Sequence, residues 1–310
     1  MQSVESAANA LRNGGLCVMP TETVYGLAAD ARNAAAVQRI FDVKGRPADH
    51  PLIVHIADAA DLNEWGRDIP SYARLLAAAY WPGPLTLVLR KQPEVLPIVT
   101  GGQDTVGLRV PSHRLAQQLI AALGTGIAAP SANRFGKVSP TSVSHVLADI
   151  GDLLESTDAV LDGGPCTIGV ESTIVDCTGE HPRLLRSGAI TAGMIEETTG
   201  LDLLAADGNV RASGTLASHY APDANVVVVD ADRIPGIDGA GVIAMRDVET
   251  PESMHRLLSA ADLGEYARGL YAALREGDLQ QVGTIVAVLP PDEGLGSAIR
   301  DRLARAANAE

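Results

Sequence analysis

The chain has 310 residues, 46% of them apolar but only 3% aromatic, and a formal net charge of −14. That length supports one large domain or two ordinary ones, with a core built mainly from Ala, Val, Leu and Ile. Residues 1–200 carry 15 basic and 21 acidic groups and the remainder 9 and 17, so neither part has the positive balance of a dedicated nucleic-acid binder. No apolar run reaches the roughly 18 residues of a membrane span, and the first residues lack a basic segment followed by an apolar one. A soluble, cytoplasmic protein is expected. Cys17, Cys166 and Cys177 are far apart and form no C-x-x-C pair, so they read as free thiols in a reducing compartment.

In chain order, residues 4–13 read as an amphipathic helix and 15–19 as a strand. Further strands are expected at 52–56, 85–90, 106–110, 126–130, 158–162, 173–177 and 183–186. Helical spacing covers 34–43, 70–80, 113–123, 141–149 and 191–199. Gly and Pro punctuate the joins, as at Trp81-Pro82-Gly83-Pro84 and Gly163-Gly164-Pro165. The last strands of this part follow each other with little helix between, which favours a mixed sheet over a regular parallel one. Residues 201–222 read as a linker. Beyond it, Asn225–Asp230, Gly241–Met245 and Gly283–Leu289 read as strands, 252–275 as helical and 296–308 as a closing helix. That alternation suggests a small Rossmann-like α/β domain over 223–310, after a larger domain over 1–200.

Several short segments concentrate chemistry beside the apolar runs, one of them, at residues 20–27, at a strand exit, where open α/β sheets place ligands. Lys44-Gly45-Arg46-Pro47 sets two cations on a stiffened turn between a helix and a strand, which suits an anion: Arg offers a planar fork and Lys a point charge. Pro20-Thr21-Glu22-Thr23-Val24-Tyr25-Gly26 crowds hydroxyls and a carboxylate after the first strand. In Val106-Gly107-Leu108-Arg109-Val110, the Arg within an apolar run is either an edge-strand charge or a buried ligand clamp. Pro130-Ser131-Ala132-Asn133, Gly169-Val170-Glu171-Ser172-Thr173 and Leu184-Leu185-Arg186-Ser187-Gly188 complete the set. There is no G-x-x-x-x-G-K-[ST] loop, no H-E-x-x-H and no G-x-S-x-G. Cations, hydroxyls and backbone amides remain, an inventory for positioning and charge stabilisation rather than for a covalent nucleophile.

Taken in order, these segments resemble the threonylcarbamoyl-AMP synthases, the YrdC-like enzymes of tRNA modification. Leu216-Ala217-Ser218-His219-Tyr220-Ala221-Pro222 further resembles the linker of their long, two-domain branch. The resemblance implies the YrdC-like fold, a twisted open α/β mixed sheet with a concave pocket. It implies synthesis of L-threonylcarbamoyl-AMP and pyrophosphate from L-threonine, bicarbonate and ATP, with Mg²⁺ on the nucleotide. The product would pass to a downstream tRNA threonylcarbamoyl transferase complex, and no stable nucleic-acid binding is expected.

The resemblance also assigns roles. Lys44 and Arg46 would contact ATP phosphates, with Lys44 also a candidate for serving the transferring group. His50, Thr105, Ser131, Asn133, Ser139, Thr141 and Arg186 would hold the nucleotide, although a helix N-cap is an alternative account of Ser139 or Thr141. Thr23, Arg109 and Ser172 would bind threonine, with Arg109 clamping its carboxylate. Thr23 alternatively caps the turn after Pro20. His55 either faces the pocket or is a core histidine. Glu22 and Glu171 would orient these cations or bind metal indirectly rather than act as bases. Tyr220, with His219 beside it, would either reach back over the site as a lid or pack the interdomain joint. Two departures stand out: His50 occupies a position where the family often has Asn, and Ser213-Gly214-Thr215 leaves the linker poorer in proline than usual. Two other readings are an RNA-binding module of the same fold and a carbamoyl-transfer domain like that of hydrogenase maturation proteins. The missing cysteines weigh against the latter.

Overall fold

The computed structural model describes residues 2–214 and 219–308. Thr215, Leu216, Ala217 and Ser218 of the linker motif lie outside the described residues. The larger sheet contains β1 (Cys17–Met19), β2 (Gly26–Asp30), β3 (Ile53–His55), β4 (Gly66–Arg67), β5 (Leu85–Lys91), β6 (Thr105–Arg109), β7 (Ile127–Ala128), β8 (Ala159–Val160), β9 (Thr173–Asp176), β10 (Arg183–Arg186) and β11 (Leu204–Ala205). Their spatial order is β11-β10-β9-β5-β6-β3-β7-β2-β1-β8, with β4 paired to β5. β3 and β6 run parallel, as do β5 and β9, whereas β5–β6, β3–β7 and β2–β7 are antiparallel. The sheet is therefore mixed, as the close succession of the later strands predicts.

The turn that carries the cations is built by local rules. Asn33 caps the helix Ala34–Lys44 by accepting from the Ala36 N–H, and Gly45 ends it at φ 62°. Glycine takes that left-handed conformation without the Cβ penalty, and the Arg46 N–H then bonds back to Phe41 O. Lys44 thus ends a helix pointing into the protein, while Arg46 opens the loop toward β3. The parallel register aligns His55 with Arg109 across β3 and β6, so both reach the same sheet end.

The second unit is a four-stranded parallel sheet: β12 (Asn225–Val229), β13 (Gly241–Met245), β14 (His255–Ala260) and β15 (Thr284–Val288), in the order β12-β15-β13-β14. Its helices are Leu263–Leu279 and Gly296–Ala307. The helical reading of 252–275 is corrected here, because its first part is β14. His255-Arg256-Leu257-Leu258 is neutral between the two states, and pairing along β13 decides it. Besides β14 and the two-residue β4, two more strands sit where none was expected. β2 is Gly-Leu-Ala-Ala-Asp, without alternation or branched residues, yet β1 and β7 flank it and bury it. β11 pairs with β10 inside the segment read as linker. The core of the second unit is continuous with the first: Val24, Val138, Val170 and Tyr220 belong to the same apolar cluster as Leu270, Tyr271 and Leu303. Gly169 shows how closely the two units approach, since a Cβ there would stand 2.4 Å from the Cα of Arg268.

Candidate active site

At the ends of β3, β6 and β7 lies a concavity of about 530 Å³, partly open to solvent. Thr23, Arg46, His55, Arg109, Ser131, Ser172, Arg186, His219 and Tyr220 line it. Of the residues singled out from sequence, these nine, together with Glu171, are brought to one pocket. Six others are not. Lys44 is buried behind the wall, its Nζ donating to Ser131 O at 2.6 Å and Asn133 O at 2.5 Å. Asn133 donates to Arg134 O and Lys137 O and so shapes its own loop. Ser139 donates to Glu171 Oε1 at 2.6 Å. The Thr141 N–H bonds His145 Nδ1. His50 stands edge-on to Phe135 at 5.3 Å between ring centres. Thr105 lines an adjoining cleft of about 290 Å³ that shares Ile53 and Ser213 with the first. Neither Ser139 nor Thr141 caps the following helix. Ser142 does, by accepting from the His145 N–H. Likewise Thr21, not Thr23, closes the turn after Pro20, donating to Val24 O at 2.6 Å and accepting from the Thr23 N–H.

That leaves Thr23 free to face Arg109. The buried Arg109 guanidinium donates from Nη1 to Thr23 Oγ1 at 2.9 Å and from Nε to Gly83 O at 3.2 Å. Its Nη2 lies 2.6 Å from Glu22 Oε1, off the line of a hydrogen bond, so both atoms keep an unmet polar direction. Glu22 is held in turn by the Ser112 N–H. Arg109 is thus a buried residue of the pocket wall rather than an edge-strand charge. His55, beside it, is fully buried with an unpartnered Nδ1, and burial followed by the nearby Arg109 lowers its pKa to about 3. It is a neutral imidazole at physiological pH.

The opposite wall is also cationic. Arg186 donates to Ser172 O at 3.0 Å, to Ser172 Oγ at 3.1 Å and to Ser213 O at 2.8 Å. Ser172 Oγ also meets Thr86 Oγ1 at 2.8 Å. Arg46 donates to Pro51 O at 3.0 Å, and its Nε has no partner. Burial lowers the Arg46 guanidinium to about 10 and also lowers Arg186. Burial, then the charge of Arg46, brings Lys44 well down. Several cations share a low-dielectric pocket with few anions, so a polyanion entering it gains charge pairing without paying to orient the donors.

Over this pocket lies the end of the linker. Gly214, at φ 76°, passes so close that a Cβ would stand 2.6 Å from the Tyr220 hydroxyl and 2.8 Å from Arg186 Nη1. The Tyr220 ring stacks on Tyr271 at 5.5 Å, and its buried hydroxyl has no partner. His219 meets the Tyr220 ring edge-on at 4.1 Å. Glu171 orients a cation that sequence reading missed, Arg302, whose Nε donates to Glu171 Oε2 at 2.9 Å. Arg302 occupies the buried face of its helix together with Ala298, Ile299, Leu303 and Ala306. A charge set within an apolar helical stripe was the available signal.

Among the described residues, no group of three His, Cys, Asp or Glu side chains is placed to hold a metal ion. Glu171, the carboxylate on the wall, already has donors on both oxygens. The wall residues therefore suit an anion such as phosphate rather than a metal ion held by the protein. No helix among the described residues is long and apolar enough to cross a membrane.

An open mixed sheet with a buried, cation-walled pocket at its strand ends, closed by a segment leading to a second α/β unit, defines a class of anion-binding α/β enzymes. The comparisons with known proteins narrow this. A family model described as telomere recombination, covering the Sua5, YciO and YrdC proteins, matches residues 9–188. A second, described as the C-terminal domain of threonylcarbamoyl-AMP synthase, matches residues 190–308. The threonylcarbamoyl-AMP synthase of Bacillus subtilis is 41% identical over 98% of this chain and 92% of its own length. That of Pyrococcus abyssi is 42% identical over 98% and 93%. The crystal structure of P. abyssi Sua5 complexed with L-threonine superposes with a TM-score of 0.89 at 39% identity, covering 98% of this chain and 94% of that one. The chain belongs to the Sua5–YciO–YrdC family, in its two-domain branch.

Proposed function

We propose that this chain is a threonylcarbamoyl-AMP synthase working through the pocket described above. The observation that carries the reading is the convergence of Arg46, Arg109 and Arg186 on a cavity that also offers the Thr23, Ser131 and Ser172 hydroxyls, with Arg46 Nε and Arg109 Nη2 lacking a hydrogen-bond partner. The threonine amine and bicarbonate give a carbamate and water. A carbamate oxygen attacks the α-phosphorus of ATP and pyrophosphate leaves. Charge grows on both sides of the transfer, and fixed guanidinium groups offset it.

In this reading Arg109 clamps the threonine carboxylate through Nη2, with Thr23 and Ser172 beside it and neutral His55 packed against the ligand. Arg46 and Arg186 hold the phosphates. Lys44 acts from behind: by gathering the carbonyls of Ser131 and Asn133 it aims that loop at the nucleotide. Ser139 acts through Glu171. His50, Thr105, Asn133 and Thr141 shape the nucleotide side without standing on the main wall. His219 and Tyr220 close the site. The division into 1–200, a linker to 222 and a second domain from 223 follows the same reading, with β11 drawing the first domain a few residues further. Mg²⁺ on the nucleotide, bicarbonate as carbon source, a downstream transferase complex and a cytoplasmic location belong to this proposal as well. An RNA-binding role without adenylate synthesis has no specific observation in its favour.

The test is a reaction with ATP, threonine and ¹³C-bicarbonate, followed by mass spectrometry. A threonylcarbamoyl-AMP peak one mass unit heavier than with ordinary bicarbonate supports the proposal. An unlabelled product, or none, overturns it.

A further inference from the structure

The second domain meets the first around one buried carboxylate. Glu171 Oε1 accepts from Ser139, and Oε2 accepts from Tyr271 at 2.8 Å and from Arg302 at 2.9 Å. Arg302 has no exposed side-chain surface, and its Nη2 donates to Ser187 O at 2.9 Å. A single guanidinium thus ties together the Glu171-Ser172 segment and the Arg186-Ser187 segment, which both carry pocket residues. The same group lies 5.5 Å from the centre of the Tyr220 ring, while Tyr271 stacks on that ring at an interplanar angle of 26°. Tyr220 has a backbone φ of 64°. A bulky side chain keeps such a conformation only where its surroundings impose it. The flanking backbone is tied by His219 N–H to Arg305 O and by Ala221 N–H to Gly136 O, and the ring itself is packed by Arg302 and Tyr271 of the second domain.

We infer that Arg302 and Tyr271 form a latch, anchored on Glu171, that holds Tyr220 over the pocket, so that the second domain controls how long the adenylate stays bound. This rests on the lid reading of Tyr220 given above. Arg302 and Tyr271 are positioning residues: they act through Tyr220. Burial alone would raise the Glu171 carboxyl, but the Arg302 and Arg186 charges and the bonds it accepts outweigh this and hold it at about 2. The anchor therefore stays ionised across the physiological range.

The experiment uses the full-length protein and measures the rate at which preformed, ¹⁴C-labelled threonylcarbamoyl-AMP leaves it after dilution into unlabelled substrates. Tyr220→Ala, Arg302→Lys, Tyr271→Phe and the double variant Tyr220→Ala/Arg302→Lys are compared with the parent. Lys keeps the charge but cannot span Glu171 and Ser187 with a planar fork, and Phe keeps the ring stack while losing one donor. The latch predicts release about tenfold faster for Arg302→Lys, as for loss of a buried charged contact acting on dissociation, and a smaller increase for Tyr271→Phe. It also predicts that the double variant releases no faster than Tyr220→Ala alone. A merely structural role would give additive effects instead. Faster release in Tyr220→Ala with unchanged release in both Arg302→Lys and Tyr271→Phe overturns the latch and leaves the lid standing. Unchanged release in Tyr220→Ala overturns the lid, and the latch with it. Amide hydrogen exchange over 219–224 provides a readout independent of catalysis, and should quicken in Arg302→Lys.

Discussion

Removing Arg109 tests the threonine clamp and carries two separable consequences. In the folded protein its guanidinium satisfies Thr23 Oγ1 and Gly83 O and balances Glu22, with both charged side chains 5% exposed. Arg109→Ala leaves Glu22 buried with only the Ser112 N–H as partner. Breaking a buried pair in this way costs about 3–5 kcal/mol, against a total stability of roughly 5–15 kcal/mol for a domain. The variant is therefore paired with Arg109→Ala/Glu22→Gln, which removes the orphaned charge. On the binding side, losing one partner of a buried, hydrogen-bonded charge pair costs about 2–5 kcal/mol, or roughly 30- to several-thousand-fold. The expected outcome is that the double variant regains thermal stability but not threonine affinity, while ATP binding changes less than threefold. The assay is calorimetric titration of threonine and of a non-hydrolysable ATP analogue, beside a thermal melt. Unchanged threonine affinity in the folded double variant would refute the clamp. A parallel loss of ATP affinity would place Arg109 on the nucleotide instead.

Acid should weaken the fold before any carboxylate titrates. His55 and His219 both have folded pKa values of about 3 against 6.5 for the free side chain, chiefly through burial. Their neutral state contributes stability that is complete above 6.5 and lost as pH falls toward 3. At pH 5 each unfolded imidazole gains about 2 kcal/mol from protonation. The melting temperature should fall by several degrees between pH 7.5 and 5, and a flat profile would contradict the burial of these rings. Gly188→Ala should destabilise the chain and suppress turnover, because a Cβ would stand 2.3 Å from the Thr173 N and 2.8 Å from Glu171 O. Unaltered melting would show that this backbone yields more easily than the packing implies. Lys44→Met should impair the nucleotide side more than threonine binding, since it frees the Ser131 and Asn133 carbonyls that Lys44 gathers. Titrations with the two ligands separate these effects, and a selective loss of threonine affinity would count against the assignment.

Much of the architecture was legible because its strands are apolar runs, bounded by proline as in β5 or continuously β-branched as in β12, and because Gly45 marks a helix end by its conformational freedom. β2 was not legible, since an Ala-rich segment becomes a strand only through its partners. β14 was hidden by residues equally at home in a helix. In the site, Arg46, Arg109 and Arg186 stood out as cations in the short segments beside the apolar runs. Lys44 stood out as a cation beside Arg46 and Ser139 through the resemblance, yet the fold turns both into supports behind the wall. Arg302 and Tyr271 escaped notice because their partner Glu171 lies 131 and 100 residues away along the chain. No local pattern reports such a pairing. Only the docking of the second domain creates it.

The central claim is that one pocket joins threonine, bicarbonate and ATP. The most direct measurement is pyrophosphate release from MgATP with threonine and bicarbonate each supplied or withheld. Release that requires both is the predicted result. Release in the absence of either, or with another amino acid preferred to threonine, would contradict it.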